Sequence, residues 1–336
     1  MRSYHLGAGT DEHRLVPREH DVPQPGPGQA LVRVRASALS YREIMILENR
    51  YPLPVTPDVV PLGDGAGEVE AVGEGTTLVR PGDRVSAAVF PLWQDGRFDW
   101  SYAPQLGSAL DGMLTEYALV DEAALVHIPA GLTFGEAATL PTAGLTAWNA
   151  LTGGRPVLAG ETVLTLGSGG VSLFALQFAK LAGARVIATT SREEKAARLK
   201  ALGADEVIDY RAYPDWPAAV RRAADGRGVD HVVEVVGDLG KTLRTLAPEG
   251  EIAYVGCWFA GPDAPPVDPS ALFFSGCRLR CVAIGSKAQH TAMNRAVQDG
   301  GLKPVLDRTF GFDEVREAFR HYRSGRPFGK IVIDHG

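Results

Sequence analysis

Thr162-Val163-Leu164-Thr165-Leu166 runs directly into Gly167-Ser168-Gly169-Gly170-Val171-Ser172, and Val171, Phe174, Ala175, Phe178 and Leu181 then recur at helical spacing. A strand, a glycine turn and an amphipathic helix, in that order, are the opening unit of an open parallel sheet. Glycine lets the backbone turn tightly and lets a pyrophosphate approach the amides at the helix start, where the helix dipole favours negative charge. The third position of the G-x-G-x-x-G/A pattern is Ser172, small but a departure. A plain strand-to-helix turn that uses glycine for φ > 0 would read the same way. The surrounding rhythm favours the first reading. Candidate strands at Thr162 to Leu166, Arg185 to Thr189, Glu206 to Ile208, His231 to Val236, Ile252 to Val255 and Arg280 to Ile284 alternate with helical patterns. That alternation predicts an α/β fold, a doubly wound parallel sheet of the Rossmann type that binds a dinucleotide.

The second strand leads to Thr190, Ser191 and Arg192, with Lys195 one helical turn on. A protein that binds NAD usually places Asp or Glu here against the ribose 2′-hydroxyl. A hydroxyl, a guanidinium and an ammonium instead suit a 2′-phosphate, through charge-assisted hydrogen bonds worth about 1.5 to 3 kcal/mol each. NADP(H) is therefore expected in preference to NAD(H). The competing reading is that Arg192 and Lys195 only solvate an exposed first turn that also carries Glu193 and Glu194.

Outside this half the texture changes. Up to about residue 125, β-rich runs such as Ala30 to Ala36, Gly67 to Val72 and Arg84 to Phe90 are separated by Gly/Pro turns, as in a barrel-like module. Thr133 to Glu136 reads as a capping box opening a helical stretch through Leu151. After Gly301 short segments return, ending in Lys330-Ile331-Val332-Ile333, a candidate strand that rejoins the first module. The 336 residues predict roughly two domains. With 45% apolar and 22% charged residues the chain has the composition of a globular protein, which excludes disorder. A net charge of −6 without runs of like charge argues against nucleic acid as a partner. The three cysteines, Cys257, Cys277 and Cys281, are too few for a disulfide scaffold and fit a reducing compartment. There is no apolar leader, and glycines and serines break the longest apolar stretch, Val163 to Ala179, so a cytoplasmic protein without membrane contact is expected.

Metal and nucleophile signatures are missing. Phe90 to Gly112 holds no cysteine for a four-thiolate zinc site, and Cys277 and Cys281, on what reads as a strand, stand about 13 Å apart by strand rise. Neither H-E-x-x-H nor G-x-S-x-G occurs. Gly240-Lys241-Thr242 lacks the upstream glycine of a P-loop, the position being Val235. No metal site is expected.

Taken together, Pro61 to Val69 (PLGDGAGEV), Val72-Gly73-Glu74-Gly75, Pro81 to Val85 (PGDRV), Ala137 to Pro141 (AATLP), Gly144 to Ala147 (GLTA), the glycine turn and Phe328-Gly329-Lys330 make the chain similar to the medium-chain dehydrogenase/reductase superfamily over nearly its full length. It most resembles the zinc-independent, quinone-oxidoreductase-like branch. The resemblance implies a GroES-like β-rich catalytic domain from 1–126 and 302–336, a Rossmann domain over 127–301, and an active site in the cleft between them. Zinc-dependent alcohol dehydrogenases of the superfamily carry ligands at positions matching Ser40 or Tyr41, Asp64 and Thr142; one carboxylate and hydroxyls do not make a zinc site. Leu39 to Glu43 followed by Arg50-Tyr51-Pro52 is more similar to the pattern of enoyl reductase domains, with Ser40 and Glu43 in place of Asn and Asp.

By the same resemblance Tyr51 matches a proposed proton donor, a role of general acid worth about 10² to 10⁴ in rate; the alternative is a phenol that only packs at a barrel rim. Tyr41 and Ser40 are candidates for orienting a carbonyl, or Tyr41 is core. Thr146 is implied near the nicotinamide, Tyr210 near the adenosine phosphate, and Gly237, Gly256 with Cys257, Gly285 and Lys330 among the cofactor contacts, although each glycine is also what a turn alone requires and a buried inert thiol is the commoner role for a cysteine. The aromatics of Phe90 to Gly112 would line a substrate pocket or form a subunit contact. The expected function is NADPH-dependent, zinc-independent reduction of an activated C=C bond or carbonyl in a small molecule such as an enone, enoyl thioester or quinone. The alternatives are an NADP-dependent alcohol dehydrogenase without catalytic zinc, and an NADPH-binding structural or RNA-binding protein without turnover. Relatives of this kind form homodimers through the Rossmann edge strand, here near Arg278 to Ile284, which would otherwise be an exposed edge.

Overall fold

The computed structural model describes residues 1–258 and 266–336, and its backbone packs as two compact units, 1–145 with 284–336 and 146–283. The first unit contains β1 (Arg2–Leu6), β2 (Leu15–Glu19), β3 (Gln29–Leu39), β4 (Asp64–Val72), β5 (Arg84–Ala87), β6 (Tyr117–Asp121) and β7 (Leu125–His127). The second contains β8 (Thr162–Leu166), β9 (Arg185–Thr190), β10 (Glu206–Asp209), β11 (Val229–Glu234), β12 (Leu246–Tyr254) and β13 (Arg278–Cys281). The chain then returns to the first unit with β14 (Leu306–Gly311) and β15 (Lys330–Asp334).

In the first unit the sheet order is β14-β15-β3-β4-β5-β7, with β6 also on β3 and β1-β2 as a separate pair. The long β3 shares one edge between β6, over Gln29 to Arg33, and β15, over Ala36 to Leu39. Its other edge carries β4, which approaches so closely that a Cβ at Gly67 would lie 2.1 Å from the Arg33 carbonyl oxygen. Only glycine fits there. Leu39, Ile44, Leu47, Phe319, Ile331 and Ile333 form one buried cluster, and Val32, Val69, Val85, Met113 and Val120 another. The antiparallel register of β15 on β3 pairs Ile331 with Leu39, and so brings Lys330 to the end of β3 where Ser40 begins the next helix.

In the second unit the strands are all parallel in the order β10-β9-β8-β11-β12-β13. The order reverses between β8 and β11, the point at which open sheets of this kind bind ligands outside their carboxyl ends. Val163 to Leu166 and all of β11 are buried, as strands covered on both faces must be. Leu164, Ile187, Val220, Val229, Val232 and Ile252 fill the core.

Several boundaries differ from the sequence expectation; strand β11 spans Val229–Glu234 rather than His231 to Val236, and β5 ends at Ala87 rather than Phe90. The capping box is present, Glu136 N donating to Thr133 Oγ1 at 3.2 Å and Thr133 N to Glu136 Oε2 at 2.7 Å, but the helical stretch is divided into Phe134–Ala137, a wider turn over Leu140–Gly144, and Leu145–Thr152. Pro141 has no N–H to continue a regular ladder. Strand β12 begins at Leu246 rather than Ile252, with its register on β11 shifting around Pro248 and Glu249, the latter at φ 63°. Strand β13 ends at Cys281, and Ile284 turns to φ 41°, outside the extended region. Cys277 precedes this strand and Cys281 closes it. Among the described residues no helix is long and apolar enough to cross a membrane.

Candidate functional site

In the second unit the carboxyl ends of the strands are where an open parallel sheet of this order offers a ligand site. Gly167 (φ 76°) makes the turn after β8, and a Cβ added at Gly167 or Gly169 would meet nothing within 4 Å. Gly169 caps the helix Gly170–Leu181 without a side chain, so the first amides of that helix have no side-chain acceptor at the cap. Ser172 explains its own departure from the glycine pattern: its Oγ donates to Leu166 O at 2.7 Å and closes the strand on the helix. Gly167 N donates to Thr189 O at 3.1 Å, tying this turn to the end of β9. Ser168 is buried beside it, and Val171 lies in the first turn of the helix.

Thr190 ends β9, and Arg192 caps the helix Glu193–Ala201, its N–H 3.4 Å from Thr190 Oγ1 and its guanidinium 3.6 Å from Glu194. Ser191 stands between them, and Lys195 in the first turn is buried. Tyr210 follows β10, exposed, with its N–H on Thr190 O at 3.0 Å. Gly237 follows β11, and Gly256 follows β12 so closely that a Cβ there would lie 2.6 Å from the Val235 carbonyl carbon. Cys257 is half-buried next to it. Glu234, which sequence reading missed, is fully buried at the end of β11 and accepts from Val236 N at 2.9 Å and from Gly237 N at 3.0 Å. Burial pushes its carboxyl up, and those amides oppose the shift. The sequence signal available was a glutamate inside an apolar run, three residues before Gly237. Open space above Gly167 and Gly169 and a helix start without a side-chain cap fit a bound dinucleotide. Thr146 is buried in this unit, while Gly285 and Lys330 belong to the other, Gly285 against Leu145 and Gln289.

The first unit holds a buried polar cluster. Lys330 Nζ donates to Leu39 O at 2.7 Å, to Ser40 Oγ at 2.8 Å and to Asp64 Oδ2 at 2.8 Å, which uses all three of its protons. Ser40 Oγ also donates to Asp64 Oδ2 at 3.0 Å, and Thr142 N donates to Asp64 Oδ1 at 2.7 Å. Asp64 is wholly buried and so depends on this pairing. His290 is fully buried in the same unit with neither ring nitrogen hydrogen-bonded; burial pushes it down to about 4, opposed by the charge of Asp64.

A second network joins the first through consecutive residues. Arg42 Nη1 donates to Glu43 Oε1 at 2.8 Å and Nη2 to Leu106 O at 2.7 Å, while Gly63 N, next to Asp64, lies 3.4 Å from the same Glu43 oxygen. Arg42 Nε points to Tyr51 Oη at 3.4 Å, and Tyr51 Oη donates to Gln105 Oε1 at 2.9 Å. Tyr51 is half-buried against the Leu39 cluster. Tyr41 is exposed at 37% rather than core, its hydroxyl 3.3 Å from Arg50 Nη2. The structure thus brings Ser40 and Lys330 together, and places Tyr51 with Arg42 and Gln105. Sequence reading named neither Arg42 nor Gln105 as a site residue; Gln105 lies 54 residues from Tyr51, and no local motif links them.

The aromatic segment is a nest of edge-to-face rings, with Phe98 5.5 Å from Phe90, 5.1 Å from Trp93 and 5.5 Å from Trp100 between centroids. Trp93 O and Gln94 O accept from Lys287 N and Ala288 N at 2.9 Å, so this segment seats on the start of the helix Lys287–Asp299.

A resident zinc ion does not fit the polar cluster. Zinc takes thiolate, imidazole or carboxylate donors. Here an ammonium and a hydroxyl already occupy one oxygen of the single carboxylate, and a backbone amide the other. Among the described residues no group of three or more His, Cys, Asp or Glu could hold a metal ion.

A doubly wound sheet with an open glycine turn, in a chain that also builds a β-rich unit with a buried polar cluster, defines a nucleotide-dependent oxidoreductase. Residues 26–130 match the alcohol dehydrogenase GroES-like domain and residues 170–299 the zinc-binding dehydrogenase domain. The chain is 38% identical over 328 residues to a zinc-type alcohol dehydrogenase-like protein of Schizosaccharomyces pombe, covering 95% of each. It is 35% identical over 328 residues to a quinone oxidoreductase of Pseudomonas aeruginosa, covering 94% of each. A solved structure of a putative alcohol dehydrogenase from Sinorhizobium meliloti superposes with a TM-score of 0.93 at 38% identity, over 99% of this chain and 98% of that one. The protein belongs to the medium-chain dehydrogenase/reductase family of NAD(P)-dependent oxidoreductases.

Proposed function

We propose that the protein is an NADPH-dependent, zinc-independent reductase of an activated C=C bond or carbonyl in a small molecule such as an enone, enoyl thioester or quinone. The observation that carries this reading is the Lys330 ammonium, 2.8 Å from Asp64 where a metal-dependent relative would need a free ligand. With that carboxylate committed, a substrate must be activated by protein donors, and an electron-poor double bond or quinone asks least of them. Similarity to a quinone oxidoreductase supports the same class. Gly167 to Val171, Thr190 to Arg192, Lys195, Tyr210, Gly237 and Gly256 would hold the dinucleotide, which supplies a hydride when bound. The hydroxyl of Thr190 and the charges of Arg192 and Lys195 favour the 2′-phosphate. Tyr51 is the proton donor in this reading, because its hydroxyl is half-buried and held at a fixed place by Arg42 and Gln105. The chain pairs with a second copy through the β13 edge.

The deciding measurement is loss of NADPH absorbance against a panel of enones, enoyl thioesters, quinones and aldehydes, in parallel with NADP reduction by alcohols and with elemental analysis. Turnover of enones, enoyl thioesters or quinones without stoichiometric zinc supports the proposal. Activity confined to alcohols and aldehydes overturns C=C reduction and favours the alcohol dehydrogenase reading to which the yeast relative's name points.

A further inference from the structure

Tyr51 is not held by apolar packing alone. Its hydroxyl lies between a buried guanidinium and a buried carboxamide, each with one feature that packing does not require. Arg42 is 8% exposed, and Glu43 and Leu106 O fix two arms of its fork; the third, Nε–H, faces the Tyr51 oxygen at 3.4 Å, with the guanidinium carbon 5.3 Å from the ring centroid. A guanidinium does not deprotonate in a protein, so this is a permanent positive charge next to the phenol. Burial pushes the Glu43 carboxyl up, against the pull of Arg42. Gln105 is 1% exposed; its Oε1 accepts the Tyr51 proton at 2.9 Å, and its Nε2 has no hydrogen-bond partner. An unsatisfied buried N–H is costly, and it persists where the group has a second use. A half-turn of the carboxamide would aim Nε2–H at the same oxygen, so one side chain can accept from the phenol and donate to the phenolate.

We propose that Arg42 and Gln105 are positioning residues that aim the Tyr51 hydroxyl and stabilise the negative charge left on its oxygen when the proton departs. This rests on the reading of Tyr51 as proton donor. In the step it would serve, the dinucleotide, when bound, would supply a hydride to the β-carbon of the substrate and leave the C=C electron pair as an enolate. The Tyr51 O–H bond then breaks as a C–H bond forms at the α-carbon. The electron pair remains on the Tyr51 oxygen, faced by Arg42 Nε–H and Gln105 Nε2–H, until water returns a proton. Donors aimed at developing charge and withheld from water act on the rate rather than on binding. A long resting hydrogen bond such as 3.4 Å is expected to tighten as that charge appears.

The test is kinetic and spectroscopic. With an enone or enoyl thioester that the wild type reduces, Arg42→Met and Gln105→Leu should each lower kcat by about 10- to 100-fold. KM and NADPH affinity should stay nearly unchanged, and Arg42→Lys should restore part of the loss. In a Tyr51→Phe background neither change should cost anything more. Independently of turnover, in protein labelled at tyrosine Cζ, the NMR line that disappears in Tyr51→Phe should move in both variants while the other tyrosine lines stay in place. Equal losses in the two backgrounds, or an unmoved Tyr51 line, would overturn the proposal and leave Arg42 as a structural tie between the helix Tyr41–Leu47 and Leu106. Wild-type turnover by Tyr51→Phe would instead remove Tyr51 from the chemistry, a different and separately visible failure. Should Arg42→Met not fold once Glu43 loses its partner, Arg42→Lys and Gln105→Leu carry the same comparison.

Discussion

Lys330 and Asp64 are 266 residues apart in sequence and 2.8 Å apart in space, with side chains 3% and 0% exposed. A pair so deeply buried adds little net stability over an apolar pair, but removing one partner strands the other charge. Lys330→Met should therefore cost about 3 to 5 kcal/mol in a denaturant titration. Lys330→Met with Asp64→Asn should cost clearly less than the sum of the single changes, and strict additivity would mean that the two do not act as a pair. His290 supplies a pH dependence at the same scale. Burial lowers it to about 4 against an ordinary value of about 6.5, so between those limits the unfolded chain binds more protons than the folded one. Stability should thus rise with pH across that window, and this one residue should remove up to about 3 kcal/mol as pH falls from about 6.5 to about 4. Because neither ring nitrogen has a partner, His290→Leu should keep the neutral-pH stability and flatten that slope. An unchanged slope would mean that His290 is not the group that titrates.

At the scale of elements, what the sequence made legible was local. The run from Thr162 through Ser172 carries its strand, turn and helix in consecutive letters, and the parallel sheet follows from repeating that unit. The capping box at Thr133 and the return of β15 to the first unit were equally legible, because a cap spans four residues and Ile331-Val332-Ile333 is an unbroken β-branched run. The polar clusters were not legible. Ser40 was recognisable as a candidate, but its partners Asp64 and Lys330 arrive by pairing of β3 with β4 and with β15, and Gln105 comes from a segment without periodicity. The end of β9 carries the prediction that belongs here. Arg192 and Lys195 occupy the cap and first turn of the helix that follows β9, and the first turn also holds Glu193 and Glu194. Changing Arg192 and Lys195 to Ala should shrink the preference for NADPH over NADH by about tenfold or more, read by cofactor titration with each nucleotide. A constant ratio would mean that these cations only balance the adjacent glutamates. Glu234→Gln, which sets an NH2 donor against Gly237 N where Oε2 now accepts, should weaken both cofactors alike, and so separate support of the loop from recognition of the phosphate.

For the molecule as a whole, the edge of the second unit's sheet is the surface that asks for a partner. Strand β13 ends the order β10-β9-β8-β11-β12-β13, and among the described residues it pairs only with β12. An uncovered edge is a template for another strand, and soluble proteins usually block it with charge or proline, or cover it. Here Arg280 turns inward to Glu251 and Asn149, which removes its charge from the edge, while Leu279 is 42% exposed. The adjoining helix Pro269–Ser275 exposes Phe273 at 79% and Phe274 at 82%, an arrangement costly to leave in water. A second copy of the chain related by a two-fold axis would pair β13 with its own equivalent and cover the phenylalanines from both sides. Sedimentation equilibrium should accordingly give about twice 35.8 kDa for the wild type. Phe273→Lys combined with Phe274→Glu should shift the mass toward a single chain while NADPH affinity is kept, because the site proposed for the nucleotide is at the carboxyl ends of β8 and β9 rather than on the β13 edge. A wild type that sediments as a single chain at micromolar concentration would leave this edge without a partner of its own kind.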